Sequence, residues 1–206
     1  ERDTFEELLV LETGKPLVDC RVEVDRTLPV CEIGCGYGAN LKHLANAGFT
    51  QLIGTEASGH RADVVRRVFG FEVYTAPFES PETQRPLAVH APFSIIYSHH
   101  VLEHTYHPDQ VIAAASRLQR PGDYLIVSVP HHEHEPSIGV LLFLPHLHSF
   151  TRVSLERLAA RFGYTLHDDS LTHPKNLNLA FRRTDAAVTP AAANRPFERA
   201  LEKYVR

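Results

Sequence analysis

Hydrophobic and polar positions divide the 206-residue chain into short apolar runs that alternate with stretches of helical spacing. The runs 30–33, 52–55, 71–75, 93–97 and 124–129 are dominated by β-branched, aliphatic and aromatic residues, the pattern of strands covered on both faces. Between them, Leu41, Leu44 and Ala45 recur at helical spacing up to Gly48, and Ser58 can cap a helix running to Val68. Residues 81–92, framed by prolines, read as a proline-rich connection. Pro108 suits a helix start, with Val111, Ala115 and Leu118 carrying the apolar stripe to Pro121-Gly122. After a long excursion at 130–150, Leu155, Leu158, Ala159 and Phe162 repeat the i, i+3, i+4, i+7 pattern up to Gly163. The stretches 164–168 and 177–183 then predict two closing strands, a hairpin across 169–176.

Strands alternating with helices imply a parallel sheet with helices on both faces, and ligands of such sheets bind beyond the carboxyl ends of the strands. The edges read differently. Residues 1–26 combine an amphipathic segment (Phe5, Leu8, Leu9), a turn at Gly14 to Pro16 and a candidate strand at 20–24. Residues 184–194 are rich in alanine and proline and precede a short helical pattern at 196–205. The division expected is a cap or edge segment at 1–28, a core domain at 29–184, and a linker with a terminal helix at 185–206.

The first run leads straight into Gly34, Gly36 and Gly38, and then into a helical pattern. A strand–glycine turn–helix unit brings main chain close to a ligand, because glycine has no Cβ and accepts positive φ. The dinucleotide fingerprint spaces its glycines G-x-G-x-x-G; here the third arrives one residue early, as G-x-G-x-G. Glu32 lies within the strand, and Glu56 ends the second strand ~20 residues beyond the glycines, where an acid accepts hydrogen bonds from ribose hydroxyls in nucleotide-binding βαβ units. A helix-start carboxylate is the alternative for Glu56.

Composition narrows the setting. Hydrophobic residues make up 43% and charged residues 22%, enough apolar side chains for one globular core. A net charge of −4, with no lysine/arginine run longer than two, offers little attraction for nucleic acid, so a small-molecule substrate is the expected partner. The longest apolar run, 140–144, is too short to span a membrane. Three cysteines, Cys20, Cys31 and Cys35, leave at least one unpaired within the chain, which favours a reducing, cytoplasmic setting. The lack of any methionine suggests a piece of a longer chain, and a homodimer is the other assembly considered.

Further motifs appear along the chain: Val-Leu-Glu-His at 101–104, Arg-Pro-Gly-Asp-Tyr-Leu-Ile-Val-Ser-Val-Pro at 120–130, and His-Leu-His-Ser-Phe-Thr-Arg-Val-Ser-Leu-Glu-Arg-Leu at 146–158, closing in Phe-Gly-Tyr. With the glycine turn and Glu32, their order and spacing resemble class I S-adenosylmethionine (SAM) dependent methyltransferases, in a subgroup that includes ubiquinone-type O-methyltransferases and sugar C-methyltransferases. Asp123 departs from the family, which has a second glycine there; a turn before a strand tolerates it. The resemblance implies a Rossmann-like α/β three-layer sandwich, its seven-stranded sheet mostly parallel with one antiparallel strand. It also implies that Gly34, Gly36 and Gly38 line the methionine portion of SAM, with Glu32 reaching the amino group and Glu56 the ribose. Ala57 would flank the adenine, Phe78 and Glu79 would meet its edge, and the main chain of His99 would sit by the amino group. The product would be S-adenosylhomocysteine, and the acceptor an O, N or C nucleophile of a biosynthetic pathway.

The chain holds 14 histidines, several of them at expected strand ends. Methyl transfer to a hydroxyl, phenol or carbon acid requires a base, and histidine suits that at neutral pH. His146 matches the base position of the C-methyltransferase relatives, although the glutamate that pairs with it there is replaced by Pro145; His100 and His131 come next. His100 and His104 are spaced to share a helix face beside Glu103. A metal site is the competing use of that spacing and of His131-x-x-His134 with Glu133 and Glu135, but no H-E-x-x-H is present and no metal ligand is assigned. A catalytically silent methyltransferase-like interaction domain is the alternative from a different functional class. The 130–150 segment would serve as a substrate lid.

Overall fold

The computed structural model describes residue 22, residues 24–131, 145–169, residue 172 and residues 176–185. The expected strand at 20–24, the middle of the 130–150 segment with His132 and His134, and the terminal linker and helix lie outside the described residues or nearly so.

The chain order is β1 (Val30–Ile33), α1 (Ala39–Asn46), β2 (Leu52–Thr55), α2 (Gly59–Phe69), β3 (Glu72–Tyr74), α3 (Pro81–His90), β4 (Ile95–His99), a 3₁₀ turn (Leu102–His104), α4 (Pro108–Arg117), β5 (Tyr124–Pro130), α5 (Arg152–Ala160), β6 (Tyr164–Asp168) and β7 (Asn176–Arg183). The seven strands form one sheet in the order β3-β2-β1-β4-β5-β7-β6. Neighbours from β3 to β5 pair in parallel, whereas β7 runs antiparallel to both β5 and β6. This is the Rossmann-like sheet with one antiparallel strand near its edge.

Alternation within the strands divides the core. Val30, Ile95, Tyr97 and Ile126 face α1 and α2, through Leu41, Leu44, Ala62 and Val65. Cys31, Ile96, Leu125 and Val127 face the opposite layer, where Leu87, Val111, Ala115 and Leu155 come from α3, α4 and α5. Each buried Val, Leu or Ile among them contributes about 1.5–3 kcal/mol. Cys31 and Cys35 are free and buried, and burial pushes both thiols up, so they act as small apolar residues. Gln119 ties three elements together inside the core: its amide donates to Phe93 O (3.2 Å) and Tyr124 O (2.7 Å), and its oxygen accepts the Tyr164 hydroxyl (2.7 Å).

Two expectations are corrected. Residues 81–90 are helix α3 rather than a connection. Pro81 occupies the start of the helix, where its fixed φ fits and its missing N–H costs nothing, and Thr83 and Leu87 are buried against the sheet. The fourth strand lies two residues further along than the expected 93–97, at Ile95–His99, while Phe93 packs in the core ahead of it. That shift makes His99 the last residue of a strand.

Chain direction reverses its lateral order between β1 and β4, and the carboxyl ends of these two strands open the crevice where open α/β sheets bind ligands. The glycine turn leaves β1 on one side of this crevice. His99 and His100 leave β4 on the other.

Candidate functional site

Gly34 follows β1 with φ +65°, and a Cβ there would come within 2.5 Å of Val101 Cγ2, so both conformation and packing exclude a side chain. Gly36 also has positive φ, +55°, but an added Cβ would meet nothing within 4 Å. The protein leaves room beside the main chain at that point. The turn is locked from β2: Gly36 N–H donates to Glu56 Oε2 (3.0 Å) and Ser58 N–H to Oε1 (2.9 Å), while Cys35 N–H donates to Thr55 O (2.8 Å). Glu56 is buried, so these bonds lie in a partly dry setting. Each of its oxygens keeps a further lone pair for a ligand hydroxyl.

Glu32, in β1, is 1% exposed. Its Oε1 accepts from Asn40 Nδ2 (2.8 Å), but Oε2 is buried with no hydrogen-bond partner. Burial pushes this carboxyl up to about 8, against hydrogen bonds from Asn40 and the Leu41 N–H that favour the anion; the nearby Glu56 charge adds to the rise. A buried carboxyl with an unused oxygen calls for a donor or a cation. His99 stands across the crevice at the end of β4, and its Nε2 is likewise buried without a hydrogen-bond partner. Burial, then the proximity of His100, pushes its pKa down to about 4, so the ring is neutral at ordinary pH.

The remaining cofactor candidates are spread along the strand ends. Ala57 is exposed between Glu56 and the N-cap Ser58. Glu79 is half-buried in the loop between β3 and α3. Phe78 is 3% exposed and packs in the core with Leu87 and Phe93, so its ring shapes the floor of that loop rather than offering a free face.

The histidine side is assembled from three segments. His100 adopts φ +51°, in the left-handed region, and its N–H donates to Ser128 O in β5 (2.9 Å). Its Nδ1 lies 3.1 Å from Glu103 Oε1. Glu103 is fully buried, and its Oε2 has no hydrogen-bond partner. His104 Nδ1 lies 2.8 Å from Pro145 O, and its Nε2 lies 3.9 Å from Glu103 Oε1. The Glu103 carbonyl accepts the N–H groups of Leu147 (2.7 Å) and His148 (3.1 Å), which draws the segment before α5 onto the 3₁₀ turn. The His146 ring therefore packs against that of His104, centroids 4.9 Å apart. His131 is half-buried just beyond the end of β5.

His100 and His104 do not share a helix face, as their spacing had suggested. His100 lies in a left-handed turn and His104 ends a 3₁₀ turn, which gives a different angular spacing from an α-helix. Asn40 was not singled out by sequence, and Glu103 was noted there only as lying beside the two histidines, with no role assigned. An acid stands beside His100 and His104, and it comes from the 3₁₀ turn rather than from the residue before His146. Its only signal in the sequence was its place three residues after His100.

The family described as Methyltransferase domain matches residues 11–168. No curated protein sequence matches the chain. Among solved structures, a chain of the complex between the Haloferax volcanii Trm112 methyltransferase activator and a methyltransferase aligns with a TM-score of 0.70 and 12% identity, over 88% of this chain and 95% of that one. A SAM-dependent methyltransferase from Archaeoglobus fulgidus aligns with a TM-score of 0.63 and 12% identity, over 89% and 95% of the two chains. Magnesium protoporphyrin IX methyltransferase from Synechocystis, solved with bound S-adenosylhomocysteine, gives 0.57 and 15% over 89% and 83%. At such identities these likenesses show the fold, whereas the family match extends over well more than half of the sequence. The chain belongs to the methyltransferase-domain family.

Proposed function

We propose that this protein transfers a methyl group from SAM to a small-molecule acceptor, an O, N or C nucleophile of a biosynthetic pathway. The carrying observation is the open space beside Gly36 together with the buried carboxyl groups of Glu32 and Glu56, at the switch point of the sheet. These residues fit the group: the unpartnered Oε2 of Glu32 suits an ammonium, and the remaining lone pairs of Glu56 suit vicinal hydroxyls. The main chain of Gly34, Gly36 and Gly38 would lie along the methionine portion, with His99 opposite, and Ala57 and Glu79 beside the adenine over the floor made by Phe78. When bound, SAM supplies an electrophilic methyl on a sulfonium.

The chain's own work is to hold the acceptor in line and to take its proton where it has one. Of the three histidines expected to do so, the contact with Glu103 supports His100 ahead of His146 and His131, because a carboxylate on Nδ1 orients the ring and stabilises the imidazolium.

Calorimetry with S-adenosylhomocysteine tests the reading. The wild type should bind, and Gly36→Val should weaken binding at least 100-fold, since a branched side chain at φ +55° would occupy the open space. Tighter binding of NAD would point to a dehydrogenase instead. A folded protein that binds neither cofactor form at millimolar concentration would be an interaction domain, not an enzyme.

A further inference from the structure

We propose that Glu103, His104 and His146 form a site for a divalent transition-metal ion of the zinc class, on the acceptor side of the crevice. Each of the three offers a ligand atom, and these atoms all lie within 4.8 Å of one another. Two imidazoles and a carboxylate are the donor set of many catalytic zinc sites, which keep a further position open; calcium and magnesium favour oxygen ligands instead.

Three independent features of the structure support a cation here. Glu103 is fully buried, yet Oε2 makes no hydrogen bond, an arrangement that is costly for a carboxylate and that a coordinated ion would relieve. His104 has its Nδ1 at 2.8 Å from the Pro145 carbonyl, an acceptor, so Nδ1 carries a proton and Nε2 is the nitrogen turned toward Glu103. A backbone carbonyl on the outer nitrogen is how proteins fix the tautomer of a metal-bound histidine. The third ligand is drawn in by main chain: the Glu103 carbonyl accepts the N–H groups of Leu147 and His148, on either side of which the segment cannot swing away without losing both bonds. Bonds of 2.0–2.1 Å at tetrahedral angles separate ligand atoms by about 3.4 Å. Closing the cluster onto an ion thus takes a contraction of at most about 1.4 Å, to which rotation of the half-buried His146 ring can contribute.

The site sits two residues past Val101, the side chain that covers Gly34. Its chemical role rests on the proposed methyl transfer, whereas ion binding does not. An acceptor hydroxyl on the open coordination position would become more acidic. Its O–H bond would break with the proton passing to His100, and the oxygen would form its bond to carbon as the carbon–sulfur bond of SAM breaks.

Chelator-dialysed full chain titrated with Co²⁺ alone, followed by visible absorption, and with Zn²⁺ alone, followed by calorimetry, tests the assignment. One equivalent should bind, with the intense ligand-field bands of low-coordinate cobalt. His146→Asn and His104→Asn should each weaken it at least 10-fold, with Glu103→Gln at least as severe. Because Glu103 is buried, the two histidine variants decide, each checked for folding by circular dichroism. His60→Asn, at an exposed site in α2, should leave titration and spectrum unchanged. Absence of stoichiometric binding, or binding that survives both histidine substitutions in folded protein, overturns the proposal. Ion binding without S-adenosylhomocysteine binding would keep the metal site and overturn the methyltransferase reading; the reverse result would do the opposite.

Discussion

Two buried glutamates face the same crevice and are held in opposite ways. Glu32 lies within a strand, is satisfied on one oxygen by the neutral amide of Asn40, and is pushed up to about 8 by burial. Glu103 lies in a 3₁₀ turn, has His100 and His104 around one oxygen, and pins a distant segment through its own carbonyl. The first belongs to a site built within ~25 residues of contiguous βαβ sequence. The second belongs to a site gathered from the ends of β4 and β5 and the approach to α5. The glycine side is therefore backbone-defined and local, while the histidine side is side-chain-defined and depends on the packing of remote segments.

The comparison predicts that the two sides can be disabled separately. The largest effect expected is on turnover: His100→Ala should lower it 10²–10⁴-fold and leave S-adenosylhomocysteine affinity within a few-fold. Equal losses of affinity and turnover would mean that the two sides are not independent. Because His100 has φ +51°, His100→Gly should be as inactive yet melt at a higher temperature than His100→Ala, the glycine relieving about 1 kcal/mol of strain.

Next come effects on the local side. Glu32 has a folded-state pKa of about 8 against an ordinary 4.5, so the folded state binds its proton more tightly than the unfolded chain. The associated stability is present below about pH 4.5 and is lost as pH rises through 8. Glu32→Gln should consequently be more stable than wild type above pH 8, by an amount on the order of 3–5 kcal/mol from the size of the shift, while losing cofactor affinity. Denaturant titrations at pH 5 and pH 9 measure this, and an unchanged difference between the two pH values would show that Glu32 is ionised at neutral pH. An ammonium placed on Oε2 would lower that pKa, so S-adenosylhomocysteine binding at pH 7 should release a proton, seen as a binding heat that depends on the buffer's ionisation enthalpy.

Gly34→Ala should cost about 2–4 kcal/mol, combining positive φ with the 2.5 Å approach to Val101 Cγ2. Adding Val101→Ala should recover the clash but not the strain, which a double-mutant cycle resolves. The smallest effect is expected at Thr151, whose side chain accepts from Ser154 N–H in the capping box that starts α5. Thr151→Ala should cost about 1 kcal/mol in stability and, by loosening the segment that carries His146, affect turnover more than cofactor affinity.

How much of this was legible follows from sequence distance. Strand alternation and the glycine turn are local properties: apolar runs at 30–33, 52–55 and 124–129 bury on both faces, and three glycines at alternate positions after a strand mark a tight turn of positive φ. The sheet and the crevice residues Glu32, Gly34, Gly36 and Glu56 accordingly stood out from the sequence, as did the clustering of histidines at strand ends. The helix at 81–90 did not, since Pro81 reads as a breaker until its place at the helix start is known, and Pro86 sits in the helix interior, where proline is ordinarily disfavoured. Nor did Glu103, whose partner His100 bends out of the helical register and whose carbonyl reaches residues 147 and 148. Pairings of that kind depend on where strands end and which segment folds back over them, and only tertiary packing sets those distances, because no local propensity records a contact made across more than forty residues.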